Sequence, residues 1–411
     1  MVYVISKTGK PLMPCKEAKA RKLLRVGKAK VKKRTPFTIK LLFDCEEETQ
    51  DIIAGMDTGS KTIGTACIGN GRVLYQSEVA IRQDVSKKLE RRRMYRRTRR
   101  GRKTRYRKPR WANRATSRRK ERLAPSIRSK VEAHLREKRF VESILPVNRW
   151  KVETAKFDIH KISDPNVSRW TYQKGRMKDF YNTKAYVLHR DNYQCQNKEC
   201  KEKTNKLEVH HTVFRSKGGT DSPGNLITLC ADCHAALHRG EWELNGSVSK
   251  TKHATEVGIV RSQLIKVFGE HQETFGYETK LKREQILDLP KTHYHDAIAI
   301  ACAEGEIVEP LSHLYHKRNI AKGDYQQTKG VRSEKLILTG KLFGLRKFDL
   351  IETPKGTGFV KGKRSTGFFA ISDFDGTAIH NSVNVKKSCR RLSARTSTLA
   401  IKEDTALSSH D

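Results

Sequence analysis

Apolar and polar positions alternate in short runs in the first part of the chain. The runs IIAGMD, TIGTACIG and RVLYQSEV, between Ile52 and Val79, are separated by Gly-Ser and Asn-Gly. Such dipeptides are typical of tight turns, so the pattern predicts two successive β-hairpins. Ahead of them, a strand at Val2–Ile5, a basic helix at Cys15–Gly27 and a strand near Phe37–Phe43 are predicted to form a small accessory module.

A helical period replaces this alternation after residue 125. Pro146 ends a stretch whose apolar residues recur at helical intervals, namely Ile127, Val131, Leu135, Phe140 and Ile144. The pattern predicts a helix over 126–145, then a strand at Trp150–Ile159 and, much later, a helix that begins at Thr292.

The last hundred residues have a β pattern again. The runs KLILTG, FDLIET and GFFAISD are punctuated by Gly and Pro, which predicts short strands. Residues beyond about 390 are rich in Ser and Thr and are expected to be frayed. The alternation of strands and helices predicts an α/β multidomain protein.

Length and charge narrow the class of protein. The 411 residues are enough for two or three domains, and only 36% of them are hydrophobic. There are 85 Lys and Arg against 45 Asp and Glu, a net charge of +40, which favours a polyanion as partner. Between Lys87 and Arg122 there are 20 Lys and Arg and two acidic residues, so nearly half of the net charge lies in this segment.

The cysteines and the apolar runs bear on the compartment. Nine cysteines form no small-domain disulfide framework, which indicates a reducing compartment. The N-terminus has no apolar signal core, and no apolar run approaches the length of a membrane span. We therefore expect a soluble, cytoplasmic protein without a membrane partner.

Three distant segments carry acidic residues at the ends of predicted elements. Asp57 closes an apolar strand, Glu153 lies in WKVETAKFDI, and His293 and Asp296 are three apart on one helix face. Carboxylates from two strands and a helix would form an oxygen-rich pocket for Mg²⁺, with a pair of ions as the usual arrangement for phosphodiester cleavage. Taken singly, each acid is as well explained as a turn, strand or helix-start residue.

A compact Cys/His-rich module lies between the second and third acidic segments. Two cysteine pairs, Cys195/Cys200 and Cys230/Cys233, favour a closed tetrahedral Zn²⁺ with a structural role. A redox Cys-x-x-Cys motif is the alternative. The first pair is spaced by four residues, where two is common.

The histidines of the module resemble the ββα-metal motif of HNH nucleases. The resemblance implies that His211 is the general base and that Asn225 braces the loop. It also implies that His210 and His234 bind one catalytic Mg²⁺, with His238 as a weaker candidate ligand. A zinc knuckle that only binds nucleic acid is the alternative.

The acidic segments resemble a second nuclease family. GMDTGS, KVETAKFD and HYHDAIAIA are similar to the three split motifs of RuvC-type nucleases, which have an RNase H-like fold. The resemblance implies that Asp57, Glu153 and Asp296 hold two Mg²⁺ ions and that His293 is a base or a phosphate-orienting group.

The basic segment interleaves arginine with Tyr95, Tyr106 and Trp111. Guanidinium groups clamp phosphates and stack on bases better than ammonium groups do, which favours nucleic-acid binding. A nuclear-targeting signal or a solvated charge run is the plainer alternative. The candidate nucleic-acid-binding residues are Arg91, Arg92, Arg93, Arg96, Arg97, Arg99, Arg100, Arg102, Arg105, Arg107, Arg110 and Arg114.

The whole chain is similar to the IscB family of transposon-encoded RNA-guided (OMEGA) DNA endonucleases. The features that carry the resemblance are the Pro11–Pro14 PLMP run, the split RuvC motifs, the Arg-rich segment after the first motif and the inserted HNH module. The domains it implies are a PLMP module at 1–50, RuvC segments at 51–85, 123–183 and 246–310, a bridge helix at 86–122, an HNH domain at 184–245 and a C-terminal β domain at 311–411.

This resemblance implies a partner and a reaction. A non-coding guide RNA (ωRNA) would pair with double-stranded target DNA next to a short motif read by the C-terminal domain. HNH would cut the guide-paired strand and RuvC the displaced strand. The protein would be monomeric within a ribonucleoprotein and associated with the nucleoid of a prokaryote. A guide-independent structure-specific or homing-type nuclease, and a non-catalytic RNA-binding protein of ribosomal type, are the alternatives.

Overall fold

A computed structural model describes residues 1–101, 123–154, 177, 179–200, 206–214, 219, 221–244, 251–321, 343–364, 366–385 and 388–405. The chain divides into two compact units. The first comprises Met1–Ala155 and Val260–Asp411, and the second comprises Lys156–Ile259.

A seven-stranded sheet forms the centre of the first unit. Its strands are β5 (Ile52–Thr58), β6 (Thr62–Gly69), β7 (Arg72–Ala80), β8 (Arg149–Glu153), β11 (Gln272–Thr274), β12 (His313–Asn319) and β18 (Thr398–Asp404). The two predicted hairpins are confirmed as the antiparallel meander β5-β6-β7. The full order is β11-β8-β5-β6-β7-β12-β18, in which β8 is parallel to both β5 and β11.

Helices cover both faces of this sheet. On one face, α3 (Pro125–Glu142) and the part of α6 (Thr251–Phe268) from residue 260 onward share a buried core with β5, as in the contacts of Val131, Leu264 and Met56. On the other face, α8 (His293–Ala301) packs through Ile298 on the sheet. The alternation of side chains along β5 explains this, because successive residues point to opposite faces.

Two glycines allow α8 to lie unusually close to the sheet. A Cβ on Gly55 would stand 2.2 Å from the Ala297 carbonyl oxygen, and one on Gly64 would stand 1.8 Å from that of His293. Both distances are far inside van der Waals contact, so only glycine fits at these positions. The sequence of the hairpin thus fixes the depth at which His293 and its helix sit.

A buried ion pair joins α3 to β12. Lys317 Nζ lies 2.9 and 3.0 Å from the two carboxylate oxygens of Glu137, which also accepts hydrogen bonds from Tyr75 and Ser77. Burial lowers the pKa of Lys317 to about 8. The surrounding hydroxyls satisfy the carboxylate, which is the condition under which a buried pair is tolerated.

The N-terminal module is a separate four-stranded sheet of the first unit. Its strands are β1 (Val2–Ile5), β2 (Pro11–Cys15), β3 (Ala29–Lys33) and β4 (Thr38–Leu41), in the order β2-β1-β4-β3, with α1 (Glu17–Arg25) packed on them. The predicted strands and helix are present. The PLMP run, however, is a strand, and the predicted helix begins two residues later than expected.

A five-stranded antiparallel sheet lies near the C-terminus. Its strands are β13 (Leu350–Thr353), β14 (Gly356–Lys363), β15 (Phe368–Ser372), β16 (Ala378–Asn384) and β17 (Arg390–Ser393). Its strands cover fewer residues than the 311–411 predicted for the C-terminal β domain, because β12 and β18 belong to the seven-stranded sheet. The expectation of frayed residues after 390 is wrong over β17 and β18, since backbone pairing with β13 and β12 orders them. The run KLILTG lies outside the described residues.

The second unit is built on a short hairpin. Strands β9 (Leu207–His211) and β10 (Leu226–Cys230) pair antiparallel, with α4 (Thr183–Arg190) and α5 (Ala231–Arg239) beside them. A 3₁₀ turn, Pro223–Asn225, leads into β10. Arg190 fixes α4 to this turn by donating to the carbonyl oxygens of Pro223 and Leu226.

The basic segment begins as a helix. Helix α2 (Val85–Gly101) carries Arg91, Arg92, Arg93, Arg96 and Arg97, all exposed. Arg102, Arg105, Arg107, Arg110 and Arg114 lie outside the described residues, as does the end of the strand predicted at Trp150–Ile159. Across the described part of the chain, no helix combines the length and the apolar character needed to cross a membrane.

Candidate metal centres

The two strand acids of the first unit are direct neighbours. Asp57 and Glu153 face each other in the register of the parallel pair β5–β8, near the end of both strands. Parallel neighbours carry their side chains to the same side of the sheet. The pair is therefore a consequence of strand order, and it brings together residues 96 positions apart in the sequence.

Helix α8 brings His293 to the same place. Its Nδ1 lies 2.5 Å from Asp57 Oδ2, and this contact raises the pKa of His293. The side chain of Thr292 caps the helix by accepting from the His295 amide. Glu78 accepts from the amides of His293 and Tyr294, so a strand carboxylate also holds the start of the helix.

Asp296 lies one helical turn after His293 and is paired with an arginine. Arg283 Nε is 2.7 Å from Asp296 Oδ1, and both side chains are largely buried. Arg283 belongs to a π-helical turn, Lys282–Ile286, that precedes α8. The arginine fixes one oxygen of the carboxylate.

The carboxylates repel one another. Burial raises the pKa of Glu153, and the charges of Asp57 and Asp296 raise it further. Burial and the charge of Asp57 also raise the pKa of Asp296. Burial and neighbouring carboxylates thus both act against the charged forms of Glu153 and Asp296.

This donor set fits Mg²⁺. The ion prefers oxygen ligands, and each of the three acids supplies carboxylate oxygens. Asp57, Glu153 and Asp296 are the residues that would hold such an ion.

The second unit gathers three histidines. His234 Nε2 lies 2.9 Å from His210 Nδ1 and 3.2 Å from His238 Nε2, so three ring nitrogens converge. His234 and His238 are four apart on α5 and share a face of it, while His210 comes from β9. Burial and the charges of His234 and His238 lower the pKa of His210 to about 4, which keeps this imidazole neutral and able to ligate near pH 7.

A carboxylate contacts His234 on the ring nitrogen that does not face the other two histidines. Glu208 Oε2 lies 2.6 Å from His234 Nδ1. This contact places the proton of His234 on Nδ1 and directs the lone pair of Nε2 toward the other two histidines.

Imidazole nitrogens do not fit the Mg²⁺ predicted here. Mg²⁺ binds oxygen, whereas three imidazoles suit transition metals such as Zn²⁺, Ni²⁺ or Co²⁺. His210, His234 and His238 are a group that could hold a metal ion, and their donor chemistry favours a transition metal over Mg²⁺.

His211 points to the opposite side of β9 from His210. Its Nε2 lies 2.8 Å from Asp221 Oδ1. Buried Asn225 forms two hydrogen bonds with Val213, accepting from its amide at 2.9 Å and donating to its carbonyl at 3.0 Å. Asn225 therefore holds the backbone at Val213, two residues after His211.

The four cysteines of the module meet at one point. The sulfurs of Cys195, Cys200, Cys230 and Cys233 all lie within 4.8 Å of one another, and none of the four forms a disulfide bond. Burial and the neighbouring thiols raise the pKa of Cys233 to about 12. Thiolates this close together require a cation, and a Cys₄ set fits structural Zn²⁺.

Sequence reasoning did not identify Glu78, Arg283, Glu208 or Asp221. The strand period could have indicated Glu208, because residues two apart on β9 share a face and Glu208 precedes His210 by two. The other three reach their partners only through tertiary packing, which no local pattern encodes.

Comparison with known families assigns two parts of the chain. Residues 2–175 match the RRXRR protein family. Residues 195–240 match the HNH endonuclease family, which is metal-dependent, and they contain the cysteine and histidine clusters.

Curated proteins are similar over short stretches. Anaredoxin from Nostoc sp. is 36% identical over 59 residues, which are 14% of this chain and 75% of that protein. The type IV methyl-directed restriction enzyme EcoKMcrA from Escherichia coli is 33% identical over 93 residues, 22% of this chain. The chain thus spans 29% of the length of that restriction enzyme.

A solved restriction enzyme also matches a short stretch. The phosphorothioation-dependent type IV restriction endonuclease ScoMcrA is 27% identical, with 20% of this chain and 17% of that one covered and a TM-score of 0.14. The HNH match and the curated restriction enzyme support a DNA endonuclease. The chain thus combines, in one polypeptide, a Cys/His module that matches the HNH endonuclease family and a segment that matches the RRXRR protein family.

Proposed function

We propose that the protein is an RNA-guided DNA endonuclease of the IscB type, with two cutting centres. The HNH centre cuts the strand that pairs with the guide RNA, and a RuvC-like centre cuts the displaced strand. The observation that carries the proposal is the presence, in one chain, of a convergent histidine set in the second unit and of neighbouring acids on β5 and β8 in the first unit. Each resembles the sequence motif of a different nuclease class.

The topology of the large sheet supports an RNase H-like core. Three antiparallel strands, β5 to β7, are followed by β8 and β11, which add in parallel on the side of β5. Adjacent acids near the ends of the first and fourth of these strands, with a third acid on a helix, support the RuvC-like assignment. Asp57, Glu153 and Asp296 would hold Mg²⁺, which would supply Lewis-acid stabilisation of the scissile phosphate and a more acidic water.

The protein groups of the acidic centre have separate tasks. Asp57 and Glu153 face the phosphate site as ligands, and Arg283 orients Asp296 through one oxygen. His293 shares its Nδ1 proton with Asp57, so its Nε2 is the atom free to exchange a proton with a phosphate oxygen or a water.

In the HNH centre, the general base is His211. Asp221 accepts from Nε2–H, which leaves the lone pair on Nδ1 to take a proton from water. Asn225 holds the backbone of the loop that carries this base. His210, His234 and His238 would hold a transition-metal ion that stabilises the charge developing on the phosphate.

The cationic helix and the RRXRR match support RNA as a partner. A row of exposed arginines on α2 suits the regular phosphates of a structured RNA. Two nuclease centres without a guide would serve a structure-specific or homing-type enzyme, which is the alternative function.

Purification without added RNA separates these two functions. We expect a discrete RNA to copurify with the full chain, and plasmid cleavage to disappear on ribonuclease treatment and to return when that RNA is restored. Cleavage that is unaffected by complete removal of RNA would contradict the guided function and favour the alternative.

A further inference from the structure

The short helix that follows β11 has two different sides beside the acidic centre. In α7 (Gly276–Leu281), the inner side touches Glu153. A Cβ on Gly276 would stand 3.0 Å from Glu153 Oε1, and the nearby Thr279 hydroxyl acts to lower the pKa of the same carboxylate. The position of the helix is thus fixed against a candidate metal ligand.

The outer side of α7 presents an aromatic ring to solvent. Tyr277 is 71% exposed, the highest value among the aromatic side chains beside this centre. Its ring is parallel to that of Phe275, with an angle of 5° between the planes and 6.2 Å between the centroids. Its hydroxyl donates to Glu278 at 3.0 Å. The ring is thus oriented by its contacts with Phe275 and Glu278.

Charged side chains of both signs lie near this ring in the sequence. Lys280 pairs with Glu284, the Lys282 ammonium donates to the Cys302 carbonyl, and Glu278 accepts from the Tyr277 hydroxyl. An exposed, oriented aromatic ring is a surface that single-stranded nucleic-acid-binding proteins use, because any base can stack on it.

We propose that Tyr277 is a stacking platform for one unpaired nucleobase of the strand that enters the acidic centre. The inference rests on the proposed function of that centre. Stacking there would place the neighbouring phosphate against Asp57 and Glu153, since the same helix contacts Glu153 with its inner side. Tyr277 is in this account a positioning residue and takes no part in bond cleavage.

Abasic substitution tests the contact. A guide-paired substrate with a pre-opened displaced strand carries an abasic nucleotide at each position near the cut in turn. We expect one position at which the abasic nucleotide slows displaced-strand cleavage by the parent protein by roughly 5- to 150-fold, mostly through KM.

Three variants define the role of the ring. Tyr277→Ala should show the same loss on the normal substrate and should no longer respond to the abasic nucleotide. Tyr277→Phe should retain parental behaviour, since the ring remains. Ile307→Ala, which removes an exposed apolar side chain elsewhere in the first unit, is the matched control and should have no effect.

A fluorescent base gives a readout independent of cleavage. With 2-aminopurine at the sensitive position and Asp57→Ala protein, the fluorescence should be quenched, and Tyr277→Ala should abolish the quenching. Equal cleavage and equal fluorescence in Tyr277→Ala and the parent would overturn the platform. Displaced-strand cutting that persists in Asp57→Ala would instead overturn the proposed function of the centre.

Discussion

The supporting carboxylates distinguish the candidate site histidines of the second unit from ordinary surface histidines. His234 depends on Glu208, which fixes its tautomer, and His211 depends on Asp221 in the same way. His210 relies on burial and on its histidine neighbours, which keep it neutral. For His234 and His211, the carboxylate that contacts one ring nitrogen determines what the other ring nitrogen can do.

Removing the carboxylate behind His234 should weaken the histidine centre. We expect Glu208→Gln to lower the affinity for Co²⁺ or Zn²⁺ by roughly 10- to 100-fold, because the orientation and basicity of His234 are lost. The visible absorption of bound Co²⁺ measures this directly. Glu243→Gln, an exposed acid in the same unit, is the control. Unchanged affinity in Glu208→Gln would mean that the contact is incidental.

A site residue could be predicted from the sequence only where it lies in a local motif. The acids, histidines and cysteines were recognisable because their spacing matches known motifs, as for His293 and Asp296 on one helix face. Glu78 and Arg283 were not recognisable, since they reach α8 from a strand and a turn distant from any motif.

The same distinction between local and distant signals applies to the helices and strands. Turn dipeptides and apolar period were sufficient to predict β5 to β7, α3 and α8. The parallel addition of β8 and β11, and the pairing of β18 with β12, are contacts between distant segments, and their strands carry no mark of their partner. That is why the residues after 390 were expected to fray.

The close approach of α8 to the sheet gives a prediction at this scale. Gly55→Ala should destabilise the first unit by at least about 1–3 kcal/mol, because a Cβ would overlap the backbone of α8. Denaturant unfolding of the full chain measures it. Gly362→Ala, on β14 with no atom within 4 Å of the added Cβ, should be close to neutral. Equal stability of both variants would show that α8 can shift at no cost.

Zinc bound by the cysteine cluster should keep the second unit folded. Cys230 both supplies a sulfur and caps α5, so changing Cys230 and Cys233 to Ser should remove zinc and unfold this unit locally. Metal analysis should give about one tightly bound Zn per parent chain and none in the variant. HNH cutting should be lost while RNA binding persists. Active protein without zinc would contradict the assignment.

For the whole molecule, charge is the dominant property. The net charge of +40 is concentrated in and after α2, where exposed arginines line the helix. Changing Arg91, Arg92, Arg93 and Arg97 to Glu should therefore weaken RNA binding by orders of magnitude. The salt dependence should become shallower by about one per lost phosphate contact.

The matched variant keeps the charge. The same four residues changed to Lys should give an intermediate defect, because lysine does not form the planar bidentate contacts of arginine. Filter binding over a salt series separates the cases. An unchanged affinity and slope in the Glu variant would mean that α2 is only a solvated charged helix.

The division of labour between the two centres is the central claim, and strand-resolved cleavage tests it most directly. A guide-paired duplex with a different label on each strand is incubated with the RNA-loaded parent, Asp57→Ala and His211→Ala proteins. We expect the parent to cut both strands, Asp57→Ala to cut only the guide-paired strand and His211→Ala to cut only the displaced strand. Cleavage of both strands by either variant, or loss of both activities in each, would contradict the account.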